Sequence, residues 1–183
     1  MKTAMLVWLA LLAVPGLLLA ADLDIDGISG ASYDLPPSLP RDTAGVKNEV
    51  FAWLASHWLM SLATVETDGS PHVSGVVYRS KEFDVYFMSV KNSNKILNIL
   101  KDPRVSYTIW DPVQDIHQLK ALQVRGRAEI LEGEERAAAA PLFKLDTLPE
   151  HYAVVRIRPA IARWTDRNRP VEYSDVITFA PAE

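Results

Sequence analysis

The sequence predicts a mainly β, α+β domain, a small antiparallel barrel of six or seven strands with short helices between them. Three observations predict it. Short segments rich in Val, Ile, Tyr, Phe and Thr recur between turn signals from residue 59 to the C-terminus. Two of them flank Thr67-Asp68-Gly69-Ser70, an Asp-Gly turn of the kind that joins hairpin strands. And 183 residues, 49% of them hydrophobic, suffice for one core and are too few for two.

Taken in order, residues 1–21 stand apart from the domain. Lys2 is followed by AMLVWLALLAVPGLLLAA, an uncharged apolar run that ends in small residues. This is the pattern of a secretory signal peptide cut after Ala20 or Ala21. The alternative is a membrane anchor, since about 18 apolar residues is the lower edge of a spanning helix. Either way Lys2 holds the N-terminus inside and the domain is sent across, to the periplasm or the exterior. Residues 22–45 mix acids, Gly and Ser with Pro36, Pro37 and Pro40, the composition of an extended tether. The folded domain is expected over 46–183.

Val50, Phe51, Trp53, Leu54 and Trp58 recur at helical spacing and predict a helix over 46–57. Strands are predicted over 59–66 and 71–79, joined by the Asp-Gly turn, and over 85–89. A short helix over 93–100 follows, with Ile96, Leu97, Ile99 and Leu100 as its buried side. Strands over 105–110 and 122–131, an Ala-rich helix over 132–143, and closing strands over 152–165 and 171–179 complete the barrel.

Composition excludes several functions. A net charge of −4 supplies no basic face for nucleic acid, and the absence of Cys removes disulfides, thiolate metal sites and Cys nucleophiles. No Gly-rich phosphate loop, nucleophile elbow or paired catalytic carboxylates occur. His57, His117 and His151 lack a partner at i, i+4 and a carboxylate cluster, so no metal site is expected; His72, alternating with Val73 on a strand, reads as exposed or hydrogen-bonded. Trp53, Trp58 and Trp110 read as core or interface aromatics.

One stretch concentrates polar chemistry. In FMSVKNSNKILNILKDP, residues 87–103, a strand hands over to a helix through Lys91, Asn92, Ser93, Asn94 and Lys95. Such a corner is either a solvated turn or an anion site, because hydroxyls, ammonium groups and helix N-terminal amides together suit a phosphate.

LATVETDGSPHVSGVVY (62–78), VYFMSVKNSNKILNILKDPRVSYTIW (85–110) and LQVRGRAEIL (122–131), in this order and spacing, resemble the pyridoxamine 5′-phosphate oxidase-like family. The resemblance covers 46–179 and implies an FMN-binding split β-barrel that works as a homodimer, with flavins at the subunit interface. It implies that Arg79, Ser89, Ser93 and Lys95 hold the phosphate. It further implies that the isoalloxazine end packs on the strand backbone at Val76, Val77 and Tyr78, near Met88, with Gln123 and Trp164 bordering the ring.

The departures are specific. Where true pyridoxamine phosphate oxidases carry Arg and Lys on the second strand, this chain has Ser74 and Arg79. Their Arg-Lys pair is here Asn94-Lys95, and their strand Gln aligns with Ala121, two residues before Gln123. Their C-terminal Arg-x-His, which holds the substrate phosphate, has no counterpart in PVEYSDVITF (170–179). The expectation is an exported FMN-dependent oxidoreductase on a small molecule other than vitamin B6. The alternative is a barrel that binds haem, another tetrapyrrole or other ligand without turnover, or no cofactor at all.

Overall fold

A computed structural model describes residues 43–168 and 173–179. The leader over 1–21, tether residues 22–42, Arg169 and the start of the closing strand lie outside the described residues. The tether was expected to run to 45, but helix α1 already begins at Thr43 and ends at Ser56. It buries Val46, Val50 and Leu54, one face at i, i+4 and i+8, and leaves Phe51 exposed, as is Trp58 just beyond its end.

Seven antiparallel strands follow: β1 (Leu59–Val65), β2 (Pro71–Lys81), β3 (Asp84–Val90), β4 (Arg104–Trp110), β5 (Lys120–Ile130), β6 (Tyr152–Asp166) and β7 (Tyr173–Thr178). Strands β1 and β2 form the predicted hairpin, with Leu59 opposite Val77 and Val65 opposite Pro71. Its turn closes because Gly69 takes φ +89°, a left-handed conformation costly for residues with a Cβ. The Asp68 carboxylate accepts from the Ser70 amide at 2.9 Å and hydroxyl at 2.6 Å.

Six strands close on themselves in the order β1-β2-β3-β6-β5-β4, because β3 pairs with β6 as well as with β2. The length of β6 makes this possible. Its first half, Tyr152–Ile157, pairs with β3, and its second half, Ile161–Asp166, pairs with the outer strand β7. A register shift at Arg125/Gly126 bends β5 against β6. The main core holds Leu62, Tyr78, Phe87, Leu122 and Ile157, and α1 covers it with Val50 and Leu54.

Two helix readings are corrected. In α2 (Asn94–Lys101) the buried residues are Ile96, Asn98 and Ile99, whereas Leu97 and Leu100 are 46% and 65% exposed. Asn98 is tolerated inside because its Nδ2 donates to Thr64 Oγ1 at 3.1 Å. The Ala-rich stretch divides into α3 (Gly133–Ala138) and a 3₁₀ turn, Ala140–Phe143. Pro141, with no N–H and a ring that crowds the preceding turn, stops the α-helix there. Ala139, Ala140 and Leu148 make a second, smaller core with Tyr86, Leu131 and Val154 on the outside of β3 and β6.

Tyr107 carries a further expectation. It is 2% exposed and its hydroxyl has no hydrogen-bond partner among the described residues, and burial pushes its phenol far above the usual range. Removing an unpartnered buried hydroxyl is neutral or favourable, so Tyr107→Phe should leave stability unchanged or raise it by up to about 1 kcal/mol. Denaturant unfolding checks this, and a loss beyond about 1 kcal/mol would reveal a partner for the hydroxyl.

Candidate functional site

The barrel splits where β2 and β3 part. They pair only from Tyr78 opposite Phe87 to Lys81 opposite Asp84. Beyond Phe87, β3 continues against β6 to Val90, while β2 from Pro71 to Val77 pairs with β1 alone. The Tyr78 amide donates to Trp58 O at 2.8 Å. Since strand groups alternate in direction, the backbone N–H and C=O of Val77, Gly75 and Val73 turn the other way, into the gap. No strand pairs with that edge among the described residues.

The expected residues distribute unevenly around this gap. Val76 and Tyr78 turn their side chains into the core at 6% and 0% exposure, and the Tyr78 hydroxyl donates to Leu54 O at 3.1 Å. They contribute backbone only. Val77, 51% exposed, presents both a side chain and backbone groups facing the gap. Arg79 folds back on its own strand, donating Nη1 to Tyr78 O at 2.8 Å. Across the gap Met88, partly buried, packs on the second core beside Leu142 and Phe143 of the 3₁₀ turn, which itself lies against β2. Those two residues were not anticipated, because their stretch read as a plain Ala-rich helix.

At the end of β3 the polar corner takes a definite form. The Ser89 and Ser93 hydroxyls are 2.9 Å apart. Ser93 has the N-cap conformation of α2 (φ −72°, ψ 149°) but makes no side-chain cap. Its hydroxyl is turned to Ser89 instead, while the amides of Ile96 and Leu97 reach its carbonyl at 3.0 Å. The amides of Asn94 and Lys95, at the positive end of the helix dipole, are therefore left without the serine cap. Two hydroxyls and two amides gather here, with Lys95 in the first turn of the helix, and this donor set suits a phosphate.

Gln123 and Trp164 are not brought to the gap within one chain. Gln123 is exposed on β5, separated from β2 by β1 and β4. Trp164 is 2% exposed beneath α1, in edge contact with Trp53 at 5.1 Å, its Nε1 donating to Glu49 at 3.1 Å. Among the described residues no group of three or more His, Asp or Glu side chains is placed to hold a metal ion.

Comparison with known proteins agrees with this architecture. The family described as pyridoxamine 5′-phosphate oxidase matches residues 46–165. A haem-binding protein from Mycobacterium smegmatis is similar in structure at TM-score 0.59 and 26% identity, over 76% of this chain and 60% of that one. A protein provisionally assigned as a pyridoxamine 5′-phosphate oxidase from Listeria innocua matches at TM-score 0.54 and 21% identity, over 65% and 97% of the two chains. General stress protein 26 from Bacillus anthracis matches at TM-score 0.56 and 18% identity, over 73% and 98%. No curated protein matches the sequence.

Proposed function

The chain belongs to the pyridoxamine 5′-phosphate oxidase family, and on that premise we propose that it is an exported flavoprotein holding FMN in the split, an oxidoreductase on a small molecule. The observation that carries this reading is the uncapped α2 N-terminus beside the Ser89–Ser93 pair. A phosphomonoester brings close to two negative charges and needs such donors, and the open backbone edge at Val77 supplies a wall for the ring. A bound flavin supplies hydride chemistry, and the protein positions it and excludes water. Ser74 and the lack of an Arg-x-His argue against vitamin B6 as substrate.

A homodimer is part of the proposal. Gln123 reaches a flavin only from a second copy, and Leu59, Val73, Val77 and Trp110 on the outer strand faces are 50%, 65%, 51% and 53% exposed. The apolar run at 4–21 supports export. Export also favours the second reading, a haem or tetrapyrrole carrier on the same barrel, because flavin is made in the cytoplasm. The 26% identity to a haem-binding protein adds to it.

The absorption spectrum of protein purified from its native compartment separates the readings. Flavin bands near about 375 and 450 nm are expected. A Soret band establishes the haem reading. A colourless protein that fails to take up added FMN overturns the flavin proposal.

A further inference from the structure

The chain between β5 and β6 runs over the outside of β3 and β6 through α3 and the 3₁₀ turn. The turn touches both sides of the split. It lies against β2, and its Leu142 and Phe143 pack with Met88 of β3 on the second core. Met88 is the first residue of β3 beyond its last pair with β2, Phe87 opposite Tyr78. The contact therefore sits where the backbone ladder ends and the gap begins.

This strap has little apolar burial of its own. None of the α3 residues is buried, and in the turn only Ala140 is. Left-handed residues stand near its two ends, Gly133 at φ +51° and Lys144 at φ +58°, the second a conformation unfavourable for a side chain with a Cβ. Polar ties hold it instead. Arg136 Nη2, from α3, donates to Pro149 O at 2.8 Å and reaches Leu148 O and Tyr152 O at 3.4 Å, so one guanidinium gathers the carbonyls where the chain returns to β6. On β6, Arg156 Nη2 donates to Glu129 of β5 at 2.8 Å and to Glu135 of α3 at 3.1 Å. A segment fastened by a few polar contacts over a small apolar area opens locally at a lower cost than the barrel unfolds.

Resting on the flavin reading above, we infer that Arg136 is a positioning residue for the split. It keeps the 3₁₀ turn closed, so that Leu142 and Phe143 wall the ring end of the site beside Met88 and hold water away from it. Arg136 touches neither the ring nor the phosphate and acts through the turn. The phosphate corner at Ser89 and Ser93 belongs to β3 and α2, outside the strap, and does not depend on it.

Arg136→Ala and the conservative Arg136→Lys, in the full chain, test this. The alanine variant is expected to release FMN and riboflavin about tenfold faster, both alike, because the ring wall and not the phosphate contact is loosened. Iodide quenching of the bound flavin should rise about threefold, while Tm of the flavin-free protein falls by less than about 3 °C. Lysine keeps a charged donor at the carbonyls and should stay within about threefold of the original release rate. Phe143→Ala shortens the wall with Arg136 in place and should raise quenching similarly. The double variant should then be no worse than the stronger single one, since both act on one wall. Flavin binding with release and quenching unchanged in Arg136→Ala overturns the positioning role and leaves the flavin reading standing. So does a loss confined to FMN, or additive effects in the double variant. Failure of the unsubstituted protein to bind either flavin overturns the two together.

Discussion

Replacing Ser93 and Lys95 together with alanine is expected to weaken FMN about 100-fold while riboflavin affinity changes less than about threefold. The lysine supplies a charge-assisted contact to phosphate, and such contacts contribute about 1.5–3 kcal/mol, roughly a factor of 10 to 100. The serine supplies a hydroxyl and orients Ser89 through the 2.9 Å contact between them. Riboflavin has the same ring and no phosphate, so it separates a lost phosphate contact from a damaged fold. Neither substitution removes backbone amides or core packing, since Ser93 and Lys95 are both partly exposed. Equal loss for both ligands would place the phosphate elsewhere, and no loss for either would dissolve the anion corner.

The largest stability effect is expected at Gly126. A Cβ built there meets Arg158 O at 2.2 Å and Pro159 Cα at 3.2 Å, both backbone atoms of the paired strand. Backbone yields only by shifting β6, the strand that pairs with β3, β5 and β7. Gly126→Ala should therefore cost about 3 kcal/mol, the upper range for overpacking. For a domain of this size that lowers Tm by roughly 6–12 °C. Gly75→Ala is the control, because nothing lies within 4 Å of a Cβ there. A melting curve in which both variants behave alike would mean that the β5 bulge absorbs the methyl group.

Period and turn chemistry made most elements legible. Strand β2 shows why. Asp68-Gly69 marks its start, and Val76 and Tyr78 alternate inward against exposed Val73 and Val77, a pattern a helix would not produce. The α2 boundaries were equally clear from Ser93 and from Asp102-Pro103. Its buried face was not. Leu97 and Leu100 have the hydrophobicity of core residues, and only the presence of Thr64 across the barrel makes Asn98 the better occupant. Trp164 shows the converse. The resemblance set it at the border of the flavin ring, and the structure buries it against Trp53 and Glu49.

What the sequence determined by itself is the strand segments, the β1–β2 hairpin and the polar residues after β3, because all three are written in contiguous residues. What only the tertiary structure decided is where the barrel opens. That depends on β3 parting from β2 after Phe87 while it stays paired with β6, a strand more than sixty residues later, and on a serine that turns from its own helix to another serine. Pairings between distant segments carry no local periodicity, so no pattern in the chain announces them.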